Sequence, residues 1–180
     1  PSGAGKDSLM THAARRLASD TAFHFARRVI TRPADPGAEA HDTLDEASFL
    51  LHEAAGAFAL SWRSHGLCYG IPESVDETIR AGGVVVANLS RASVPDAVVR
   101  YRRVMPVLVT VSPDRLAARL AARGRETAGE IAARIARNAA YADFGARCHV
   151  IDNSGALDEA GERLVRLLRA AAQRSPAAVA

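Results

Sequence analysis

The residues best suited to chemistry stand at the start of the chain, in the run Pro1-Ser2-Gly3-Ala4-Gly5-Lys6-Asp7-Ser8. Gly3 and Gly5 permit backbone conformations and a close approach that a side chain would block. Successive N–H groups of such a turn can ring a phosphate, reinforced by the positive end of a following helix. Lys6 can reach the outer phosphates of a nucleotide as a slender, flexible point charge. The run therefore reads as most of a phosphate-binding P-loop, G-x-x-x-x-G-K-[ST], with Ser2, Gly3, Ala4, Gly5, Lys6, Asp7 and Ser8 as candidate nucleotide ligands. Two features depart from the motif. Its first glycine and preceding strand are absent, which predicts a natural segment before Pro1. Asp7 stands where Ser or Thr ordinarily meets Mg²⁺ and Ser8 follows it, so Asp7 and Ser8 are the candidate metal ligands. The bland alternative is a Gly- and Ser-containing terminal loop that matches by chance.

A second constellation is cationic: Arg119 and Arg123, then Gly124-Arg125-Glu126, then Arg134 and Arg137. Arg119 and Arg123 lie one helical turn apart and share a face, as do Arg134 and Arg137. Two helices joined at Gly124 would form a hinged lid over about residues 119–137. Phosphoryl transfer needs such a device, because positive groups must close on a charged transition state and exclude water. Lys6, Arg119, Arg123 and Arg134 are the candidate catalytic residues. Against this stands composition: of 23 Lys and Arg residues only Lys6 is a lysine. Such a bias makes many arginines ordinary surface residues and marks Lys6 as the exception.

The elements that must position these groups follow from periodicity and punctuation. Asp7 to about Ser19 reads as a helix with Leu9, Ala13 and Leu17 on one face. Phe23–Ile30 reads as a strand, Thr31–His41 as a turn-rich stretch, and Asp45–Ala55 as a helix with Phe49 and Leu50 inward. Phe58–Trp62 and Leu67–Tyr69 flank His65-Gly66 as a hairpin. A short helix over Glu73–Ala81 stops at Gly82-Gly83. Val84–Leu89 has the continuous apolar character of a strand buried on both faces of a parallel sheet. A helix over Pro95–Arg103 and a strand over Val107–Val111 follow. Ser112-Pro113-Asp114 opens one helix and the capping box Thr127-x-x-Glu130 opens another, reaching about Tyr141. His149–Ile151 is a last strand, Leu157–Ala172 an amphipathic helix, and Ser175–Ala180 a loose tail. Strands alternating with helices predict an α/β fold: a parallel sheet of about five strands with helices on both faces. The 180 residues then form one domain, with an acceptor-binding insertion over about 31–72.

Composition excludes several classes. With 48% apolar and 24% charged residues, a packed core is expected and wholesale disorder is not. No apolar run approaches the roughly 18 residues that span a bilayer, and mean hydropathy is −0.03. Cys68 and Cys148 are too few for a disulfide framework and lack metal-ligand spacing, so a cytoplasmic protein is expected. The net charge of +3 is spread along the chain, which gives no reason to expect a nucleic-acid partner. A membrane partner is not expected either, and the choice between monomer and homodimer stays open.

A P-loop, Ile30-Thr31-Arg32, a buried strand with polar residues at its end, and an Arg-x-x-x-Arg-Gly lid together resemble the guanylate kinase-like branch of the P-loop kinases. Within it the chain is most similar to the ribose 1,5-bisphosphate phosphokinase family of phosphonate catabolism. The matching pieces are residues 1–8, 30–32 and 59–62, His65-Gly66-Leu67 before Tyr69-Gly70, Asn88 with Ser90-Arg91-Ala92, and Arg123-Gly124-Arg125-Glu126. They span most of the chain in order, and the Lys-Asp-Ser variant of the P-loop is typical of that family. By the resemblance, a guanylate kinase would hold a base-reading carboxylate near Leu60 and a phosphate-clamping arginine near Asp35; both are missing. A pocket that substitutes Leu for the reader leaves the base's polar edge unpaired. GMP is therefore not the expected acceptor.

The resemblance implies ATP and Mg²⁺ as cofactors and a sugar bisphosphate as substrate. By the same resemblance the product would be 5-phosphoribosyl 1-diphosphate, whose diphosphate at C1 would make the 1-phosphate the acceptor. The acceptor site would draw on Arg32, His41, Trp62, Tyr69, Asn88, Ser90 and Arg91. Arg32 and Arg91 would grip phosphates, and Asn88, Ser90 and Arg91 follow a strand at its carboxyl end, where open α/β sheets bind ligands. Each has a plain reading beside it: Trp62 and Tyr69 as half-buried strand aromatics, His41 as a structural loop histidine, Arg32 as a surface cation. His12, His24, His52 and His149 show no partner pattern. The rival readings are a guanylate-type nucleoside monophosphate kinase and a catalytically inactive binding module of the same fold.

Overall fold

The computed structural model describes residues 3–33, 41–124, 127–139 and 148–174. The chain divides into two compact units, one made of residues 1–13 and 105–166 and the other of residues 14–104 and 167–180. Of their three boundaries, one falls within the first helix, α1 (Lys6–Arg16), one within the last, α7 (Leu157–Gln173), and one between residues 104 and 105.

The first unit carries the P-loop turn and the start of α1, where Leu9 N donates to the Gly5 carbonyl (3.0 Å). Leu9 and Ala13 are fully buried, as the i, i+4 spacing predicts. It also holds a parallel pair, β7 (Val107–Thr110) and β8 (His149–Asp152), in the register Val107↔His149 to Thr110↔Asp152. Between these strands run α5 (Pro113–Arg123) and α6 (Ala128–Ala139). The predicted caps are present. Ser112 Oγ accepts from Arg115 N (3.4 Å), and the box at α6 closes in both directions, Thr127 N to Glu130 Oε2 (2.8 Å) and Glu130 N to Thr127 Oγ1 (3.4 Å). Gly124 ends α5 in the left-handed region, φ 63°.

The second unit contains a two-stranded parallel pair, β1 (Phe23–Phe25) and β6 (Val84–Val86). Beside it lies a four-stranded sheet of β2 (Val29–Ile30), β3 (Asp42–Thr43), β4 (Phe58–Ser64) and β5 (Leu67–Pro72), in the order β3-β2-β5-β4. The β4–β5 hairpin turns at His65 and Gly66, both in the left-handed region (φ 51° and 72°), which suits the right-handed twist of the strands it joins. Its helices are α2 (Glu46–Ala54), α3 (Val75–Arg80) and α4 (Val94–Arg100), the last preceded by a 3₁₀ turn over Arg91–Ser93. One side chain cluster gathers Ala26, Ala59, Ile71 and Val75 with Leu60, Trp62, Val85 and Leu89 against them. A second gathers Val29, Phe49 and Cys68 with Phe58, whose ring stacks on Phe49 at 4.6 Å.

The α/β class holds, with three parallel strand pairs among the described residues, β1–β6, β2–β3 and β7–β8. Three details differ from the sequence reading. Phe23–Ile30 is two strands, because Phe23–Phe25 pairs with β6 while Val29–Ile30 turns to pair with β3 and β5. Leu50 is 47% exposed while Phe49 is fully buried, since adjacent helical positions point about 100° apart. Val84–Val86 is half-buried and shorter than expected. The tail over 175–180 and the predicted end of α6 near Tyr141 lie outside the described residues. Among the described residues, no helix is long and apolar enough to cross a membrane.

Candidate active site

The phosphate-binding turn is built by close approach. Gly3 and Gly5 both have φ 87°, a conformation L side chains rarely adopt. A Cβ on Gly3 would stand 2.8 Å from Leu116 Cδ1 and 3.3 Å from Leu120 Cδ2, so α5 lies directly against the turn. A Cβ on Gly5 would overlap the side-chain amide of Asn153 and stand 3.7 Å from Arg119 Nη1. Ala4 is fully buried, Lys6 half-buried, and Asp7 and Ser8 are exposed on the first turn of α1.

Arg119 is the one predicted catalytic arginine whose side chain is described. Its Nη2 donates to the Asn153 carbonyl (2.8 Å), and its Nη1 is buried with no hydrogen-bond partner. A buried guanidinium nitrogen beside a glycine turn is a donor suited to an anionic oxygen. Ser2 lies outside the described residues, as do Asp35 and the side chains of Arg123 and Arg134.

Asn153 was not among the sequence candidates. It is 1% exposed, follows β8, and extends the ladder by donating from its backbone N to the Thr110 carbonyl (2.8 Å). Its Nδ2 donates to the Ala4 carbonyl (2.7 Å), across 149 positions of sequence. The available signal was its place at the carboxyl end of a strand. His12 also has partners that no spacing announced: its ring lies 3.1 Å from Glu162 and 3.4 Å from Asp158, against Gly161.

The acceptor candidates all belong to the second unit. Strand register places Trp62 opposite Tyr69 and Tyr69 opposite Ile30. The Trp62 and Tyr69 rings stack at 5.3 Å and 4°, and the Arg28 guanidinium sits 5.5 Å from the centre of the Tyr69 ring. This cation-on-aromatic face is a favourable arrangement for a cation and an apolar sugar surface alike. Arg28 was not singled out from the sequence.

Arg32 follows β2, and its carbonyl accepts from His41 Nε2 (3.3 Å) and Thr43 Oγ1 (3.1 Å). His41 is 6% exposed, so its ring fixes the backbone of Arg32. The Nε of Arg32 is buried without a hydrogen-bond partner. Thr31 locks the same stretch to β5, its Oγ1 accepting from Cys68 N (2.9 Å).

Asn88 is buried beyond the end of β6, and Arg91 opens the 3₁₀ turn. The Ser90 hydroxyl caps that turn by accepting from Ser93 N (3.1 Å). Leu60 packs with Trp62 and Leu89 against the Ala26–Ile71 cluster, so the position carries no polar group toward a ligand.

Behind this face, Asp76 ties α3 to α4 by accepting from Tyr101 OH and Arg100 Nη2, both at 2.6 Å. Burial pulls the Asp76 pKa upward, but the hydrogen bonds from Tyr101 and Arg100 outweigh it and hold it below the ordinary value. Tyr101 is raised, by burial first and then by the bond to Asp76. Among the described residues, no three His, Cys, Asp or Glu side chains are grouped to hold a metal. Any cation would take its remaining ligands from phosphate and water, the habit of Mg²⁺.

No protein-family model matches the chain. A relative from Chelativorans sp., ribose 1,5-bisphosphate phosphokinase PhnN, is 53% identical over 173 residues, covering 96% of this chain and 83% of that protein. The protein of the same name from Agrobacterium fabrum is 45% identical over 177 residues, covering 97% and 96%. Among solved structures, guanylate kinase from Anaplasma phagocytophilum superposes with a TM-score of 0.66 at 20% identity, over 94% of this chain and 85% of that one. The structural likeness shows the fold. With sequence identity sustained along nearly its whole length, the chain belongs to the ribose 1,5-bisphosphate phosphokinase PhnN family.

Proposed function

We propose that the chain transfers the γ-phosphoryl group of ATP to the 1-phosphate of ribose 1,5-bisphosphate, yielding 5-phosphoribosyl 1-diphosphate and ADP. An oxygen of the 1-phosphate attacks the γ-phosphorus, and the bond to the β,γ-bridging oxygen breaks, its electron pair leaving with ADP. The acceptor phosphate is ionised near pH 7 and needs no general base. Catalysis is then positioning and charge neutralisation.

The N–H groups of the turn over residues 3–6 and the Lys6 ammonium hold the donor phosphates. Asp7 and Ser8, on the first turn of α1, would supply oxygen ligands to a Mg²⁺ ion, whose chemistry would be to neutralise charge on the donor phosphates. Both are hard oxygen donors on an exposed face, which suits a cation that keeps most of its water. Arg119, Arg123 and Arg134 neutralise charge on the transferring group. Arg32 and Arg91 grip the sugar bisphosphate, while Trp62 and Tyr69 offer their stacked face to the ribose. Asn88, Ser90 and His41 complete the acceptor wall, His41 through Arg32.

The observation that separates this reading from a nucleobase-reading kinase is Leu60. It is packed into an apolar cluster where a base reader would need a hydrogen-bonding group. The test is phosphoryl transfer from MgATP with either acceptor. Saturable turnover of ribose 1,5-bisphosphate, with 5-phosphoribosyl 1-diphosphate as product, supports the assignment. Turnover of GMP alone would replace it with a guanylate-type kinase.

A further inference from the structure

We infer that Asn153 is the positioning residue of the phosphate-binding turn: its side-chain amide holds the Ala4 carbonyl and its backbone carbonyl holds Arg119. The inference rests on the reading of that turn as the ATP site. For backbone N–H groups to converge on a phosphate, the carbonyls between them must point away, since an inward carbonyl oxygen repels the anion. The Ala4 carbonyl is held by Asn153 Nδ2 at 2.7 Å. Gly5 lies so close to the same amide that any side chain there would overlap it, so Gly5 and Asn153 are a matched pair.

The same residue reaches the cationic side of the site. Arg119 Nη2 donates to the Asn153 carbonyl at 2.8 Å, which leaves Arg119 Nη1, buried and without a hydrogen-bond partner, beside Gly5. One residue therefore sets both the curvature of the anion cradle and the placement of its neighbouring guanidinium.

Asn153 is itself held rigidly. Its backbone N donates to the Thr110 carbonyl at 2.8 Å. On either side, Ser154 Oγ donates to Asp152 Oδ1 at 2.6 Å and accepts from Ser112 N at 2.8 Å, tying the turn after β8 to the start of α5. A site works when its ligands are locked by a supporting shell in this way. The residue type also follows. Aspartate would present an acceptor to the Ala4 carbonyl, and an apolar residue would leave that carbonyl buried and unsatisfied.

The test compares Asn153→Asp, which is nearly isosteric, and Asn153→Ala with the wild type. ATP affinity is measured by calorimetry without acceptor, and KM for ribose 1,5-bisphosphate at saturating ATP. Both variants are expected to bind ATP about tenfold or more weakly, the loss appropriate to an orphaned buried acceptor. The acceptor KM should stay within about twofold. Should Asn153→Asp not fold, the neutral and smaller Asn153→Ala carries the same comparison. ATP affinity within about twofold of wild type in a folded variant, or an equal loss for both substrates, would overturn the inference. A wild-type protein that bound no ATP would instead overturn the nucleotide reading, and this inference with it.

Discussion

On the proposed reading, the two units would recognise phosphate in different ways. In the first, the proposed anion site is made of main chain: glycines at φ 87°, a turn pressed against Leu116 and Leu120, and one lysine. In the second, it is made of side chains carried on a small sheet: Arg32 after β2 and the Arg28–Tyr69–Trp62 stack across β2, β5 and β4. A main-chain cradle reads a feature shared by all nucleotides and is indifferent to what else the ligand carries. A side-chain face can be re-tuned one residue at a time, as Leu60 illustrates. Donor recognition is therefore the conservative half of such an enzyme and acceptor recognition the adaptable half.

The sharpest way to break this contrast is Lys6→Ala, which should lower kcat/KM by about 10³-fold or more while circular dichroism shows the fold intact. Near-wild-type turnover would remove the donor half of the account. Next in size is Arg32→Ala. Loss of a charge-assisted phosphate contact should raise the acceptor KM by about 30- to 100-fold and leave ATP affinity unchanged. A parallel loss of ATP affinity would show that the two halves are not separable. Trp62→Ala should raise the acceptor KM by about tenfold, read by the same steady-state assay, because it removes one ring of the stack under Arg28.

The smallest effect is structural. Tyr101→Phe removes a 2.6 Å bond to Asp76 and should lower stability by about 1 kcal/mol near neutral pH. Asp76 has a lowered pKa in the native state, so its contribution is present above the ordinary carboxylate range and disappears as pH falls through the native value. With one hydrogen bond gone, the native pKa moves up toward the ordinary value, and the acid limb of the stability curve moves to higher pH. Denaturant titrations across that range measure both changes. An unchanged acid limb would show that Tyr101 does not support the Asp76 carboxylate.

What was legible in the sequence was what is local. The P-loop turn, the caps at Ser112 and Thr127 and the hairpin at His65-Gly66 are each set by residues within a few positions of one another. Asn153 was illegible because its partner Ala4 lies 149 positions away and a lone asparagine carries no pattern. Arg28 was missed for a related reason. Its meaning comes from strand register, which sets Ile30 opposite Tyr69 and Tyr69 opposite Trp62, and register is a tertiary property. Phe23–Ile30 was read as one strand because both halves have strand character, and only their partners reveal the change of sheet. His12 appeared to have no role until α1 and α7 brought Asp158 and Glu162 to its ring.

The central claim is that a main-chain mode of donor binding serves an acceptor that is a sugar bisphosphate. It is tested most directly by supplying MgATP with ribose 1,5-bisphosphate or with GMP and following the products by phosphorus NMR. The account predicts the diphosphate resonances of 5-phosphoribosyl 1-diphosphate, together with ADP, in the first mixture and no acceptor-dependent ADP in the second. Phosphorylation of GMP with none of the sugar bisphosphate would contradict it.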